Sequence, residues 1–176
     1  LVRETKGAAV VALFASNIHR VQQLFDLAKK NGRKVFLSGR SMERYVQIAI
    51  EQGHIHTDLK LLRPLEDIQD TRRQEILVLS TGSQGESRSS LLRLAKNESR
   101  WLKLQPDDAV ILSSRNIPGN EKALSYVINQ LYRLGCDVHY DDLVSVHVSG
   151  HAYQEEQSEL LHMLRPRFFI PIHGDY

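Results

Sequence analysis

The chain has 176 residues, of which 41% are hydrophobic and 25% are charged, and its formal net charge is +2. These values support one sizeable folded core and exclude a disordered protein. The only cysteine, Cys136, excludes a disulfide framework and a cysteine-based zinc knuckle, so we expect a buried, inert thiol. We expect no signal peptide, and because the sequence has no apolar run that could span a bilayer, we expect a cytoplasmic protein.

Strand-like and helix-like segments alternate along the chain. Apolar runs bounded by turn residues predict strands at 8–15, 34–37, 75–80, 108–113, 136–140, 144–148 and 167–172. Amphipathic periodicity and capping residues, including Asn17 and Ser41, predict helices at 18–30, 41–53, 87–96, 121–134 and 153–164. The stretch 54–73 is predicted to be an irregular connection with a short strand or turn. Such alternation is typical of βαβ units, so we predict an α/β fold: a Rossmann-like, mostly parallel sheet with helices on both faces.

Five small polar segments lie just beyond predicted strand ends or just before predicted helices. They are Ser16-Asn17, Ser38-Gly39-Arg40, Thr81-Gly82-Ser83, Ser113-Ser114-Arg115 and Ser149-Gly150-His151. In open parallel sheets, ligands bind outside the carboxyl ends of the strands. The sequence therefore predicts a binding site along this edge of the sheet.

The loop Thr81-Gly82-Ser83-Gln84-Gly85 leads into a predicted helix and has two interpretations. Unpaired N–H groups at a helix start favour phosphate, and glycine lets the backbone approach an anion closely. Alternatively, the loop is an ordinary strand-to-helix turn. It matches neither a Walker A sequence nor GxGxxG, so spacing alone favours the turn.

Two histidines have settings that suit chemistry. His151 follows a serine and a glycine, where imidazole can bind a phosphate oxygen or act as a general acid. His173 directly follows a predicted strand, a position that suits a metal ligand. Each histidine is also compatible with a structural role. A lone histidine such as His151 is often a structural hydrogen-bonding residue, and His173 alone is not a zinc site because a catalytic zinc needs about three protein ligands. His54 and His56 would chelate a metal only on a strand, and their surroundings disfavour that interpretation.

Two segments of the chain are strongly basic. Residues 29–44 contain six basic residues and one acid, and residues 88–103 contain five basic residues and one acid. Both segments have two interpretations, because Lys and Arg can face phosphate or form solvated helix faces and loops. If they bind a nucleic acid, affinity will fall as the salt concentration rises.

Six sequence blocks together resemble the β-CASP region of the ribonuclease J family. The blocks are FASNIHRVQQ (14–23), GRSM (39–42), LSTGSQGE (79–86), IPGNE (117–121), VSGHA (148–152) and PIHGDY (171–176). They occur in the family's order and span almost the whole chain. On this basis the chain is identified as a member of that family.

The resemblance implies a β-CASP domain over residues 1–150. Residues 151–176 would form the end of that domain and a C-terminal strand that returns toward a metallo-β-lactamase domain. It further implies that RNA, preferably a 5′-monophosphorylated single strand, threads between the two domains. Two Zn²⁺ ions would activate the attacking water in the full-length protein, which would form a homodimer.

The resemblance also implies roles for individual residues. His151, in the block that holds the phosphate of the terminal nucleotide, is the implied catalytic residue, and His173 matches the family's final zinc-ligand motif. The implied RNA-binding residues are Ser149, Gly150, His151, Ser16, Asn17, Thr81, Gly82 and Ser83.

The sequence departs from the family's pattern in three respects. The family's other zinc ligands, a His-x-His-x-Asp-His cluster and a later His and Asp, are absent from these residues. Arg115 and Asn116 stand where small residues and a proline are expected, and Asp175 replaces a glutamate. Because the chain begins at Leu1 rather than Met, we expect it to be a piece of a longer protein. Because the other zinc ligands are absent from these residues, we expect this piece to bind RNA without cutting it alone.

The intact protein is therefore expected to be a zinc-dependent ribonuclease of RNA processing and decay. It would act 5′-to-3′ as an exonuclease and also as an endonuclease. Two alternatives remain open: a non-catalytic RNA-binding or assembly module, and a β-CASP nuclease that acts on DNA or on messenger-RNA precursors.

Overall fold

A computed structural model of the chain describes residues 1–141, 143 and 152–171. Within these residues the strands are β1 (Ala9–Ala12), β2 (Lys34–Ser38), β3 (Leu62–Arg63), β4 (Ile76–Ser80), β5 (Ala109–Leu112) and β6 (Asp137–His139). The α-helices are α1 (Ile18–Lys30), α2 (Arg40–Glu51), α3 (Ser90–Ala95), α4 (Glu121–Arg133) and α5 (Gln154–Leu164). The irregular stretch between α2 and β4 contains β3 and two short 3-10 helices, Leu65–Ile68 and Arg73–Glu75.

The described strands form one parallel sheet in the order β3-β2-β4-β1-β5-β6. At its centre, Ala9 of β1 lies opposite Leu77 of β4 on one side and Ala109 of β5 on the other. All four residues of β1 are buried, as expected for an apolar strand covered on both faces. The predicted parallel α/β sheet is confirmed.

Two hydrophobic clusters cover the two faces of the sheet. Successive strand residues point to opposite faces, so Val10 packs in one cluster and Val11 in the other. The Val10 side is covered by α3 and α4, with Leu131 fully buried there. The Val11 side is covered by α1 and α2, with Phe25 and Met42 at its centre. The loop after β1 therefore leads to one face, whereas the loops after β4 and β5 lead to the other.

Three helices begin at residues other than those predicted, and α5 differs by a single residue, since it begins at Gln154 rather than 153. Helix α2 begins at Arg40 with Gly39 as its N-cap, so the prediction that Ser41 is the cap is wrong. Gly39 takes a φ of +122° and packs against Thr81, which turns the chain into the helix directly after β2. Helix α3 begins at Ser90 rather than residue 87, because the Oγ of Ser89 caps it by accepting from the N–H of Leu92 at 3.2 Å.

The C-terminal part of the described chain differs from the rest. Helix α5 has no buried residue, and Phe168 and Ile170 after it are 75% and 82% exposed. The strand predicted at 167–172 is not formed over 167–171, because no described strand pairs with this segment. Residue 172 and the strand predicted at 144–148 lie outside the described residues. Neither α5 nor any other described helix has the length and apolar character needed to cross a bilayer.

Candidate nucleic-acid interface

The loops after β1, β4 and β5 lie side by side at the carboxyl edge of the sheet. Main-chain hydrogen bonds extend the pairing into them: the N–H of Leu13 donates to Ser80 O at 3.1 Å, and the N–H of Ser113 donates to Ala12 O at 2.8 Å. The guanidinium of Arg20, in α1, donates to Ser113 O at 2.6 Å. Helix α1 is thereby tied to the loop after β5 across the end of β1.

Ser16 and Asn17 lie in the loop after β1. Asn17 is the N-cap of α1, and its Oδ1 accepts from the N–H of Arg20 at 3.2 Å, which confirms the predicted cap. Ser16 is exposed and precedes the helix. Contact between RNA and either residue stays a prediction.

The loop after β4 resembles an internally satisfied turn more than an open anion site. Ser90 N–H donates to Thr81 Oγ1 at 3.4 Å, and Leu91 N–H donates to Thr81 O at 3.0 Å. Gly82 has a φ of +113°, and a Cβ added there would lie 2.5 Å from the Oγ of Ser89. The glycine thus permits close approach of Ser89, and the first N–H groups of α3 already have acceptors within the protein.

Ser83, one of the predicted site residues, is buried. It is 2% exposed, and its Oγ has no hydrogen-bond partner in the described part of the chain. Its carbonyl accepts from the Oγ of Ser114 at 3.2 Å. Gly82 is also buried and Thr81 is half-buried. Phosphate contacts by Thr81, Gly82 and Ser83 stay predictions.

Gln84 connects two of the loops, a role that the sequence analysis missed. Its Nε2 donates to Ser114 Oγ at 2.8 Å and to Arg115 O at 2.7 Å. Its Oε1 accepts from the N–H of Ile117 at 3.0 Å and from the side chain of Asn120 at 3.4 Å. The residue is 4% exposed, so these bonds are shielded from water. In sequence, such a role is signalled only by the capacity of an amide side chain to donate two hydrogen bonds and accept two, and that signal is not specific.

The loop after β5 carries two of the residues that depart from the family's pattern. Arg115 and Asn116 are both exposed, and the Nε of Arg115 lies 3.6 Å from Asp141 Oδ2. A pair this exposed contributes little to stability. Arg115 therefore adds a positive charge to the surface of the carboxyl edge. The buried hydrogen bonds of the Gln84 side chain involve only the backbone carbonyl of Arg115 and not its guanidinium.

Ser149, Gly150, His151 and His173 lie outside the described residues. Across 1–141, 143 and 152–171, no group of three or more His, Cys, Asp or Glu side chains is arranged to hold a metal ion. His54 and His56 lie in the exposed turn after α2 rather than on a strand, so the chelating geometry considered for them does not form. The described residues thus do not make a metal site by themselves.

Comparisons with known proteins agree with the resemblance. The family model "Ribonuclease J, beta-CASP domain" matches residues 6–131, and the model "Zn-dependent metallo-hydrolase RNA specificity domain" matches residues 136–176. The first match alone covers more than half of the chain. The boundary predicted at residue 150 stays a prediction.

Full-length relatives match over nearly the whole chain. Ribonuclease J of Helicobacter pylori (strain ATCC 700392 / 26695) is 42% identical over 176 residues, 100% of this chain and 26% of the relative. Ribonuclease J of Thermus thermophilus is 45% identical over 175 residues, 99% of this chain and 30% of the relative. Ribonuclease J2 of Bacillus subtilis is 34% identical over 172 residues, 98% of this chain and 31% of the relative. The chain spans about a quarter to a third of these relatives, and it belongs to the ribonuclease J family.

Proposed function

We propose that the protein containing this chain is a zinc-dependent ribonuclease that hydrolyses phosphodiester bonds in RNA. The observation that carries the proposal is the pair of family matches, which run in order through residues 6–131 and 136–176. The relatives named above are ribonucleases, and the enzymatic function is carried over from them. The proposal includes 5′-to-3′ exonuclease and endonuclease activity in cytoplasmic RNA processing and decay, and a homodimeric full-length protein.

Within this chain, the proposed task is to bind RNA at the carboxyl edge of the sheet. Ser149, Gly150 and His151 would hold the terminal 5′-monophosphate, with His151 also acting in catalysis, and His173 would contribute one zinc ligand. Ser16 and Asn17 would line the path of the strand, together with Thr81, Gly82 and Ser83. The side-by-side loops at this edge support the arrangement.

Cleavage of RNA by the full-length protein tests the proposal. Purified protein with zinc should shorten a 5′-monophosphorylated RNA from its 5′ end, and should act more slowly on the same RNA with a 5′-hydroxyl. A protein that binds this RNA without cutting it would be the non-catalytic module instead. Preferential cleavage of DNA of the same sequence would favour the DNA-nuclease alternative.

Two substitutions separate the proposed roles of the histidines. His151→Ala should slow turnover of 5′-monophosphorylated RNA while zinc content, measured by elemental analysis, stays at the wild-type level. His173→Ala should lower the zinc content. Loss of zinc in His151→Ala, or full zinc in His173→Ala, would contradict the assignments.

A further inference from the structure

A cavity of about 320 Å³ lies beside the carboxyl end of β2, between the start of α2 and the segment that follows α3. Arg40, from the first basic segment of the sequence, lines it together with Arg93 and Arg100 from the second. Two basic segments that are far apart in the chain therefore meet in one cavity. We call it the arginine pocket and define it by Ser38, Arg40, Ser90, Arg93, Arg100 and Trp101.

The three arginines of this pocket are available to a ligand. Arg40, Arg93 and Arg100 are exposed, and within the described residues none of them forms an ion pair with a carboxylate. A guanidinium presents five N–H donors in a fixed plane that matches phosphate oxygens. Three such groups around one cavity are therefore suited to an anionic ligand that carries phosphate.

The pocket also contains a planar surface for a base. The guanidinium carbon of Arg100 lies 4.0 Å from the centroid of the Trp101 ring. Trp101 is half-buried and packs against the core cluster on the α3 side, so the stacked pair is anchored to the sheet. Nucleic-acid bases stack on arginine planes and aromatic rings in proteins that bind single strands.

The other side chains that line the pocket suit a nucleotide better than a simple anion. Ser38 and Ser90 share a hydrogen bond between their hydroxyl groups at the floor of the cavity. Glu43 and Glu98 also line it, and neither is paired with a pocket arginine. Carboxylates repel phosphate but accept hydrogen bonds from ribose hydroxyls and base amino groups. The cavity volume also lies at the lower end of the range for small-ligand sites, roughly 300–1,000 Å³.

We propose that the arginine pocket binds one nucleotide unit of the RNA strand. Arg40 and Arg93 contact its phosphate, and its base stacks against Arg100 and Trp101. The inference rests on the proposed function, since it names a further contact for the same substrate. It adds a site at the carboxyl end of β2, next to the loop after β4 and on the β3 side of it.

The test measures RNA affinity in the full-length protein. A labelled, unstructured RNA is titrated with protein in EDTA, which prevents cleavage, over about 50–200 mM salt. Arg93→Gln/Arg100→Gln should weaken binding at least about fivefold, the lower limit for a lost stacking partner. The slope of log affinity against log salt should fall in magnitude by about 0.7 for each phosphate contact removed. Arg100→Lys keeps the charge and loses the plane, so affinity should fall while the slope is retained.

The matched control removes the same charge from the other edge of the sheet. Lys29→Gln/Lys30→Gln alters two exposed residues at the C-terminal end of α1, which points away from the carboxyl edge. We expect wild-type affinity from this control, and unchanged thermal unfolding from all variants. Equal binding by wild type and the Arg93/Arg100 variant, or an equal loss in the lysine control, would overturn the inference.

Two further outcomes separate the related claims. If wild type neither binds nor cuts RNA, the proposed function fails first. If wild type cuts RNA and the arginine variant binds like it, only the arginine pocket fails. Tight binding of free AMP that depends on Arg93 and Arg100, without loss of RNA affinity in the variant, would overturn the assignment to a strand and mark a site for free nucleotides.

Discussion

Arg33 at the amino edge of the sheet and Arg93 at its carboxyl edge lie in opposite environments. At the amino edge, Arg33 is 3% exposed and donates to the carbonyls of Thr5, Gly7 and Ile76. Burial lowers its pKa, and the three carbonyls compensate for the lost hydration. At the carboxyl edge, Arg93 is exposed and has no carboxylate partner among the described residues.

The cavities at the two edges also differ in the charges of the side chains that line them. A cavity of about 480 Å³ at the amino edge is lined by Glu4, Asp107 and Asp137 with one lysine, Lys6, so its charge is mainly negative. The arginine pocket at the carboxyl edge is lined by three arginines and two glutamates. Arg33 therefore helps to close the fold at the amino edge, whereas the three arginines of the arginine pocket are available to a ligand at the carboxyl edge. The following predictions test this distinction.

The largest expected effect is the loss of Asp108 at the amino edge. Asp108 is fully buried, binds Arg73 through both carboxylate oxygens, and accepts from the N–H groups of Ala8 and Gln105 at 2.8 Å. Asp108→Ala leaves donors unpaired and should destabilise the sheet by about 3–5 kcal/mol. Hydrogen exchange of the β1 and β5 amides in the full-length protein measures this loss.

Arg100→Gln at the carboxyl edge is the matched comparison for Asp108→Ala. It should change hydrogen-exchange protection by less than about 0.5 kcal/mol, because it alters an exposed side chain away from the buried network. A comparable loss of hydrogen-exchange protection in the two variants would contradict the distinction between an amino edge that stabilises the fold and a carboxyl edge that binds a ligand.

A smaller effect is expected from Gln84, whose side chain forms four hydrogen bonds with the loop after β5. Gln84→Ala should cost about 1–3 kcal/mol, because the buried Ser114 Oγ loses a partner, whereas the backbone groups of the exposed residues Arg115 and Ile117 can bind water instead. Residues 113–120 should exchange faster, and RNA affinity should fall severalfold. The control is Gln74→Ala, an exposed glutamine before β4 at the amino edge. Unchanged amide hydrogen exchange over residues 113–120 in Gln84→Ala would show that the hydrogen bonds of the Gln84 side chain do not order this loop.

The smallest effect concerns Cys136, whose predicted burial is confirmed at 4% exposure. Burial, and to a lesser degree Asp108, raises the pKa of the thiol to about 11. At pH 8 roughly one thiol in a thousand is then ionised, so alkylation should be far slower than in the unfolded chain.

The same shift makes the stability of the fold depend on pH. Because the folded state favours the protonated thiol, the contribution of Cys136 to the free energy of unfolding is present below about pH 9 and is lost as the pH rises toward 11. Rapid alkylation of native Cys136 at pH 8 would contradict a closed amino edge.

The sheet was predictable from sequence because its strands are short, apolar and separated by amphipathic helices. Apolar runs such as 75–80 are recognisable as strands from the local sequence alone, and the alternation of strands with helices indicates that the strands are parallel. The start of α3 was less predictable. Whether the helix begins at Ser87 or at Ser90 depends on how Gly82 packs against Ser89, which is a tertiary contact.

The arrangement of the candidate site was only partly predictable. The polar segments indicated the carboxyl edge, but nothing local shows that Gln84 reaches Asn120 or that Arg40 lies near Arg100. In both pairs the two residues lie far apart in the chain. The strand predicted at 167–172 failed over its described part for the same reason, since pairing depends on a neighbour that an apolar run does not specify.

Photo-crosslinking tests the contrast between the edges most directly. RNA carrying 4-thiouridine is bound to the full-length protein in EDTA, irradiated and mapped by mass spectrometry of the linked peptides. The account predicts crosslinks in the peptides that contain residues 38–45 and 93–101, and none above background at the amino edge in 29–34 or 103–108. Crosslinks concentrated in 29–34 and 103–108, with none in 38–45 or 93–101, would contradict it.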